Sequence, residues 1–310
     1  MTELNQLTGE PIGLKPANPR SFRGTKIPGA LLFSSAKSQL TVHLHLFSHS
    51  TFQLSLLQLQ AEETYSLTIR EQQPWLRLET LLHGEVQFNY PDGSHTSLFP
   101  GQYLLTDLPQ VQATFTSAKD CRYFRIHYSP ALLEQLGLPV LPASTQPRPL
   151  PALMLETIHG ILVHPFAEQL RIFYYGNAIR ELLFHHVSAT DFIQPGAFSP
   201  QQLAFVYETD QYIAENLDAS HTIRDLARRA GTNTFFLKKA YEQVFGIGIF
   251  PRLIQRRMEH AQFLLESTDL PLKDICSQSG YETLAGFITE FRKRFGQTPN
   301  QWRKGRRGGA

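Results

Sequence analysis

From residue 30 to 128 apolar side chains tend to fall at alternate positions in short runs: TVHLHL from Thr41, QLSLLQL from Gln53, YSLTI from Tyr65 and CRYFRI from Cys121. A period of two is that of strands with one face buried. Turn signals separate the runs at Gln73-Pro74, Pro91-Asp92-Gly93 and Pro100-Gly101, and residues 84–99 are expected to form a hairpin around Asp92-Gly93. Several short strands at even spacing predict a small barrel or sandwich. Residues 1–29, rich in Pro, Gly and Asn, are expected to be an irregular lead-in. Five prolines between 139 and 151 predict a loop or linker. Beyond them the period becomes helical. Over 166–187 the spacing brings Leu170, Phe173, Tyr174, Asn177, Ile179 and Leu182 near one another. A break at 194–200 precedes a wholly helical region, with Ser199 a candidate N-cap and Pro200 at the first helical position.

The helical region repeats itself. IRDLARRAGTNTFFLKKAYEQVFG (223–246) aligns with LKDICSQSGYETLAGFITEFRKRFG (272–296). Gly231 matches Gly280 at an offset of 49 and Gly246 matches Gly296 at 50, so the second copy has one extra residue after its turn. Each copy predicts a short helix (223–230, 272–279) ending at a glycine, which tolerates the left-handed conformation of a sharp turn. A second helix then starts at Asn233-Thr234 or Glu282-Thr283. That is the arrangement of a helix-turn-helix. Leu237, Tyr241, Val244 and Phe245 in the first copy, and Phe287, Phe291 and Phe295 in the second, are placed on the core side. Thr234, Phe235, Lys238 and Lys239, and Thr283, Leu284, Ala285, Ile288 and Thr289, are left facing outward, as candidates to reach base edges.

Charge sharpens this picture. The 310 residues carry a net +2, but 16 Lys and Arg against 8 Asp and Glu from His221 onward leave that part at +8, and residues 1–220 at −6. A basic segment of this kind suits a polyanion. A helix of about sixteen residues expected within 250–267 would span about 24 Å, enough to hold two readers near the separation of successive major grooves, about 34 Å. Arg252, Arg256 and Lys273 are candidates for phosphate contacts, with Arg257 either there or paired with a carboxylate inside its unit.

These residues together resemble the DNA-binding domain of AraC/XylS-family transcriptional regulators. The resemblance covers 199–304 and is strongest over DICSQSGYETLAGFITEFRKRFGQTPNQWRK, with its Gly-Tyr, its phenylalanine row and Phe295-Gly-Gln-Thr-Pro299. PRLIQRRMEHAQFLLEST resembles the family's connecting helix. The resemblance implies an α+β protein: an N-terminal cupin-like β-barrel with following helices, and a C-terminal all-α domain of two helix-turn-helix subdomains joined by a long helix. The implied domains are a sensing and dimerisation domain over 30–195 and a DNA-binding domain over 196–310. Double-stranded DNA, RNA polymerase, a small-molecule effector and a second copy of the chain are the implied partners. Base contacts map to Asn233, Phe235, Lys238 and Lys239 in helix 233–245, and to Leu284, Ala285, Ile288 and Thr289 in helix 283–295; Thr234 and Thr283 join them from the outward faces alone. Phosphate contacts map to Arg252, Arg256, Lys273, Arg292, Lys293 and Thr298. Many members carry Ser or Thr followed by Arg where this chain has Ile288-Thr289. That departure makes thymine methyls and phosphates alternative targets for Leu284, Ala285 and Ile288. LKKAYEQVFG and GFITEFRKRFG resemble the siderophore-responsive branch, a hint about ligand class.

Other chemistry is sparse. His43 and His45 share a strand face near His49, but the carboxylate of a cupin metal site does not follow, so core or surface histidines are expected and no metal or cofactor. His185-His186 would face the negative end of a helix dipole. Trp75, Arg77 and Glu79 alternate, so Trp75 and Arg77 are candidates to clamp an anionic aromatic ligand, unless Arg77 pairs with Glu79. Cys121 and Cys276 are too few for a disulfide framework or a zinc-thiolate site. No catalytic motif, apolar span of about 18–20 residues or secretory signal is found, so a cytoplasmic, non-enzymatic activator is expected. A ligand-independent architectural DNA binder, a cupin-type metalloenzyme fused to a DNA-binding module and a methyl-transfer repair adaptor are the alternatives.

Overall fold

The computed structural model describes residues 2–6, 10–19, 22, 24–37, 40–73, 75–115, 120–138, 141, 143–163, 166–188 and 200–307. The chain divides into two units, Met1–Tyr207 and Glu208–Ala310. The division falls within helix α4 (Pro200–Glu215). The expected boundary at 195/196, and Ser199, lie outside the described residues.

The first unit is β-rich. Numbered along the chain, its strands form two antiparallel sheets. The smaller has the order β1 (Thr2–Gln6), β6 (Tyr65–Glu71), β11 (Gln110–Phe115), β8 (Val86–Asn89), β9 (His95–Leu98). The larger has the order β13 (Ser144–Pro149), β10 (Gln102–Thr106), β7 (Leu76–His83), β12 (Cys121–Tyr128), β5 (Phe52–Ala61), β4 (Leu40–Ser48), β3 (Leu31–Lys37), β2 (Lys15–Ala17). Leu67, Ile69, Val86, Phe88, Ala113 and Phe115 of the smaller sheet share one core with Val42, Leu44, Leu57, Leu59, Leu81 and Tyr123 of the larger. The alternation seen in the sequence supplies these inward faces. The hairpin at Asp92-Gly93 joins β8 to β9; Gly93 lies at φ 83°, and Asp92 Oδ1 accepts from Ser94 N at 2.9 Å.

Helices α1 (Pro130–Gln135), α2 (Ala152–Val163) and α3 (Glu168–Ser188) follow. Tyr175 of α3 meets Phe47 of β4 edge-on at 5.0 Å. His186 Nδ1 and Tyr103 OH of β10 lie 3.0 Å apart. Strands covered on both faces become nearly continuous apolar runs, as in LSLLQL of β5.

Two expectations change here. The lead-in contains strands: β1 pairs with β6, and β2 with β3. Of Glu3 to Gln6 only Leu4 is buried, so alternation gave no signal. The proline-rich stretch contains β13, an edge strand where Pro147 and Pro149 are tolerated because one side of the strand needs no ladder bond.

The second unit is helical: α5 (Ile223–Arg229), α6 (Thr234–Phe245), α7 (Ile249–Ser267), α8 (Leu272–Gln278), α9 (Leu284–Phe295) and α10 (Pro299–Arg307). α7 has 19 residues, about 28 Å of helix. Its Met258, Ala261 and Leu265 pack with Ile275, Cys276, Phe287 and Phe291.

Candidate nucleic-acid interface

The two copies build the same turn from different side chains. In the first, Gly231 (φ 64°) donates to Arg228 O and Thr232 N to Ala227 O. In the second, Gly280 (φ 74°) donates to Ser277 O and Tyr281 N to Cys276 O. Both are Schellman closures, in which the glycine and its successor cap the last free carbonyls of the first helix. The second helix starts on a polar cap in each case. Asn233 Oδ1 accepts from Phe236 N at 2.8 Å, and Thr283 Oγ1 from Gly286 N at 3.2 Å. The extra residue of the second copy sits between glycine and cap.

The inner faces follow the apolar rows. Leu237 and Tyr241 are fully buried. Phe287, Phe291 and Phe295 stack along α9 with ring centroids 5.9 and 4.5 Å apart. The outer face of α6 exposes Asn233, Phe235, Lys238 and Lys239, with Thr234 half-buried. That of α9 exposes Thr283, Leu284, Ala285 and Thr289. Ile288 is turned differently from expectation: it is half-buried and packs against the second core. At i+4 from Leu284 but i+1 from Phe287, it stands at the edge of the apolar stripe. Thr289 spends its hydroxyl on its own helix, donating to Ala285 O at 2.9 Å.

The candidate phosphate contacts separate into two groups. Lys273, Arg292 and Lys293 are exposed. Thr298 is half-buried and caps α10, sharing reciprocal bonds with Gln301. Arg252 and Arg256 are not at the surface, and the phosphate role assigned to them is corrected. They are 4% and 7% exposed. Arg252 Nε donates to Asp210 Oδ1 at 2.6 Å, and Arg256 to Asp210 Oδ2 at 2.5 Å. Tyr241 OH also donates to Asp210. Burial pushes the Asp210 carboxyl up, but the two guanidiniums and these hydrogen bonds outweigh it and hold it below the usual range. Arg257 donates to the carbonyls of Leu217 and Ala219, both at 2.8 Å. The acidic residue that claims Arg252 and Arg256, Asp210, lies in α4, more than 40 residues before them in the chain.

In the first unit Trp75 and Arg77 do come together, with Gln53, Glu71, Gln73 and His127 around one cleft. The register shows why. One face of the larger sheet runs from the apolar row Leu44–Leu57–Tyr123–Leu81 to Ser55–Arg125–Glu79 and then Gln53–His127–Arg77. Arg77 is not free to clamp an anion. Its Nε donates to Glu79 Oε1 at 2.8 Å, and its remaining donors reach Trp75 O, Thr106 Oγ1 and Leu108 O. Arg125 donates to Glu71 at 2.6 Å. Burial pushes Glu79 up, yet Arg77, Arg125 and the hydrogen bond from Tyr123 hold it low. Burial, with Arg125 and Arg77 beside it, drives His127 well below its usual value, so it is neutral. Gln53 Nε2 donates to His127 Nδ1 at 2.9 Å. The other ring nitrogen, Nε2, is buried and has no hydrogen-bond partner among the described residues. The polar residues at every second position of β12, Arg125 and His127, were the sequence signal for this site.

His43 Nδ1 meets Ser34 Oγ at 2.8 Å, and Phe22 packs edge-on against both His43 and His45. Among the described residues no three metal-binding side chains cluster. No helix among them is long and apolar enough to cross a membrane.

Comparison with known proteins agrees with this geometry. A helix-turn-helix domain model matches residues 226–305. The model of the N-terminal domain of the regulatory protein PchR matches residues 40–201, just over half of the chain. The transcriptional activator RhaR of Klebsiella pneumoniae is 32% identical over 143 residues, 44% of this chain and 50% of that one. The melibiose operon regulatory protein of Escherichia coli is 30% identical over 93 residues, 30% of this chain and 31% of that one. This chain thus spans half or less of these relatives' length. The crystal structure of the C-terminal domain of the response regulator yesN from Fusobacterium nucleatum aligns at 33% identity and a TM-score of 0.30, covering 31% of this chain and 93% of that one. With a doubled helix-turn-helix behind a PchR-type N-terminal domain, the chain belongs to the AraC/XylS family of DNA-binding transcriptional regulators.

Proposed function

We propose that this protein is a ligand-responsive activator that reads two adjacent major grooves, one with α6 and one with α9. The observation that carries the reading is the pair of Schellman-closed helix turns, repeated at an offset of 49 residues, each followed by a capped helix with an exposed outer face. Asn233, Thr234, Phe235, Lys238 and Lys239 form the first reading face; Thr283, Leu284, Ala285 and Thr289 form the second. Lys273, Arg292 and Lys293 supply phosphate contacts and much of the affinity. Residues 196–310 act as the DNA-binding part and residues 30–195 as the sensing part, with a cupin-like arrangement of its two sheets.

The effector site is the cleft at the charged end of the larger sheet. His127 offers a neutral N–H donor there, and Trp75 an aromatic surface. Arg77 and Arg125 are each paired with a carboxylate, so the cleft favours a ligand with acceptor oxygens over one selected by net negative charge. The siderophore-like hint in the sequence concerns this ligand. Bound ligand shifts the protein only by favouring one state over another. The second copy docks on α3, where Leu170, Phe173, Phe184 and Val187 are exposed along one face. RNA polymerase is the partner of the bound activator, and the cytoplasm its compartment. Regulator rather than enzyme is the role of the named relatives.

The test is a titration of labelled DNA carrying a selected site, against excess random competitor DNA. Retained binding supports the reading; equal displacement by random DNA contradicts it.

A further inference from the structure

The most exposed of the large apolar side chains among the described residues is Phe235, at 74%. It stands in the first turn of α6, two residues after the cap Asn233. The corresponding turn of α9 carries Leu284, at 41% exposure, and exposed Ala285. An apolar group left in water forgoes the stabilisation that burial would give it. Two such groups occupy equivalent turns of two readers.

Three side-chain oxygens around them are already engaged. Asn233 Oδ1 is bound to Phe236 N, Thr283 Oγ1 to Gly286 N, and Thr289 Oγ1 donates to Ala285 O. On the first turn of α9 this leaves a largely apolar surface. Lys238 and Lys239 flank Phe235 one turn further along the same exposed face. The feature of the major groove that an apolar side chain recognises is the 5-methyl group of thymine, the one alkyl group that the base pairs present there.

We propose that Phe235 and Leu284 each fix a thymine at one position in their own half of the DNA site, by burying its 5-methyl group. The proposal deepens the double-reader reading and rests on it. It assigns hydrogen-bond readout in the first half to Asn233, Lys238 and Lys239, and gives the second half a reader that senses methyl groups and shape.

The experiment uses the full chain. A site is selected from a random DNA pool, and each thymine is then replaced in turn by deoxyuridine, which keeps the hydrogen-bonding edge and lacks only the methyl. One position in each half is expected to weaken binding about fourfold, the worth of one buried methyl. Phe235→Ala removes that sensitivity in the first half and leaves it in the second; Leu284→Ala does the reverse. Both side chains are exposed, so neither variant is expected to change the thermal midpoint, which is measured alongside. Tolerance of deoxyuridine at every position, or sensitivity that survives both variants, overturns the proposal and leaves the double-reader intact. A selected site without thymine in either half does the same. Failure to enrich any sequence overturns the double-reader and the proposal together.

Discussion

Asp210 of α4 and Arg252 of α7, 42 residues apart in the chain, are joined inside the second unit by a 2.6 Å Nε–Oδ1 bond. Arg256 closes on the other carboxylate oxygen. Removing the carboxylate leaves two buried guanidiniums without it. Asp210→Ala is expected to cost the second unit about 3–5 kcal/mol, seen as a lower urea midpoint. An unchanged midpoint would contradict the buried pairing.

The same pairing makes a prediction about salt. Each phosphate contact contributes about 0.9 to the slope of log affinity against log salt. Lys273→Ala and Lys293→Ala should each flatten the slope by about that amount. Arg256→Gln, which removes the charge, measured below its melting temperature, should leave it unchanged. A flattened slope in the Arg256 variant would return that residue to the DNA surface.

Gly231 and Gly280 hold equivalent turns but differ in their surroundings. Both have positive φ, which costs an alanine about 1–2 kcal/mol. A Cβ on Gly231 meets nothing within 4 Å, whereas one on Gly280 would lie 2.1 Å from Leu217 O. Gly231→Ala is expected to lower stability by about the strain alone. Gly280→Ala should cost clearly more, because a backbone carbonyl must move. Equal losses in urea unfolding would count against this difference.

The turns, caps and phenylalanine row of the second unit could be read from the chain because helix-turn-helix geometry is local. A glycine, a polar cap and an i, i+4 row lie within 25 residues of one another. The destination of Arg252 and Arg256 could not be read. It depends on Asp210, more than 40 residues away, and a basic side chain on an amphipathic helix looks the same whether it meets phosphate or a buried acid. In the first unit, strand alternation gave the inward faces. β1 and β13 were hidden because edge strands need few apolar residues. Trp75 and Arg77, two residues apart, line one cleft. Glu79 neutralises Arg77, however, and His127 joins the cleft only through the register of β12 against β7.

Acid should act on the first unit through its buried histidines. Burial, with a nearby positive charge in each case, lowers both His45 and His186 from 6.5 to about 4. In the unfolded chain these rings take up protons near pH 6.5; in the folded unit they do so only near pH 4. The unfolded state therefore binds more protons within that window, and stability falls as pH drops from about 6.5 to about 4. The thermal midpoint of the first unit should decline over this range, and His186→Asn should make the decline shallower. An identical slope in the variant would contradict the account.

The most direct measurement is selection of bound sequences from a random DNA pool with the full chain, repeated with the Lys238→Ala and Leu284→Ala variants. Two short boxes with centres about one helical turn apart are expected, with each variant degrading only its own box. A single box, or two boxes that respond alike to both variants, would contradict reading by two separate helices.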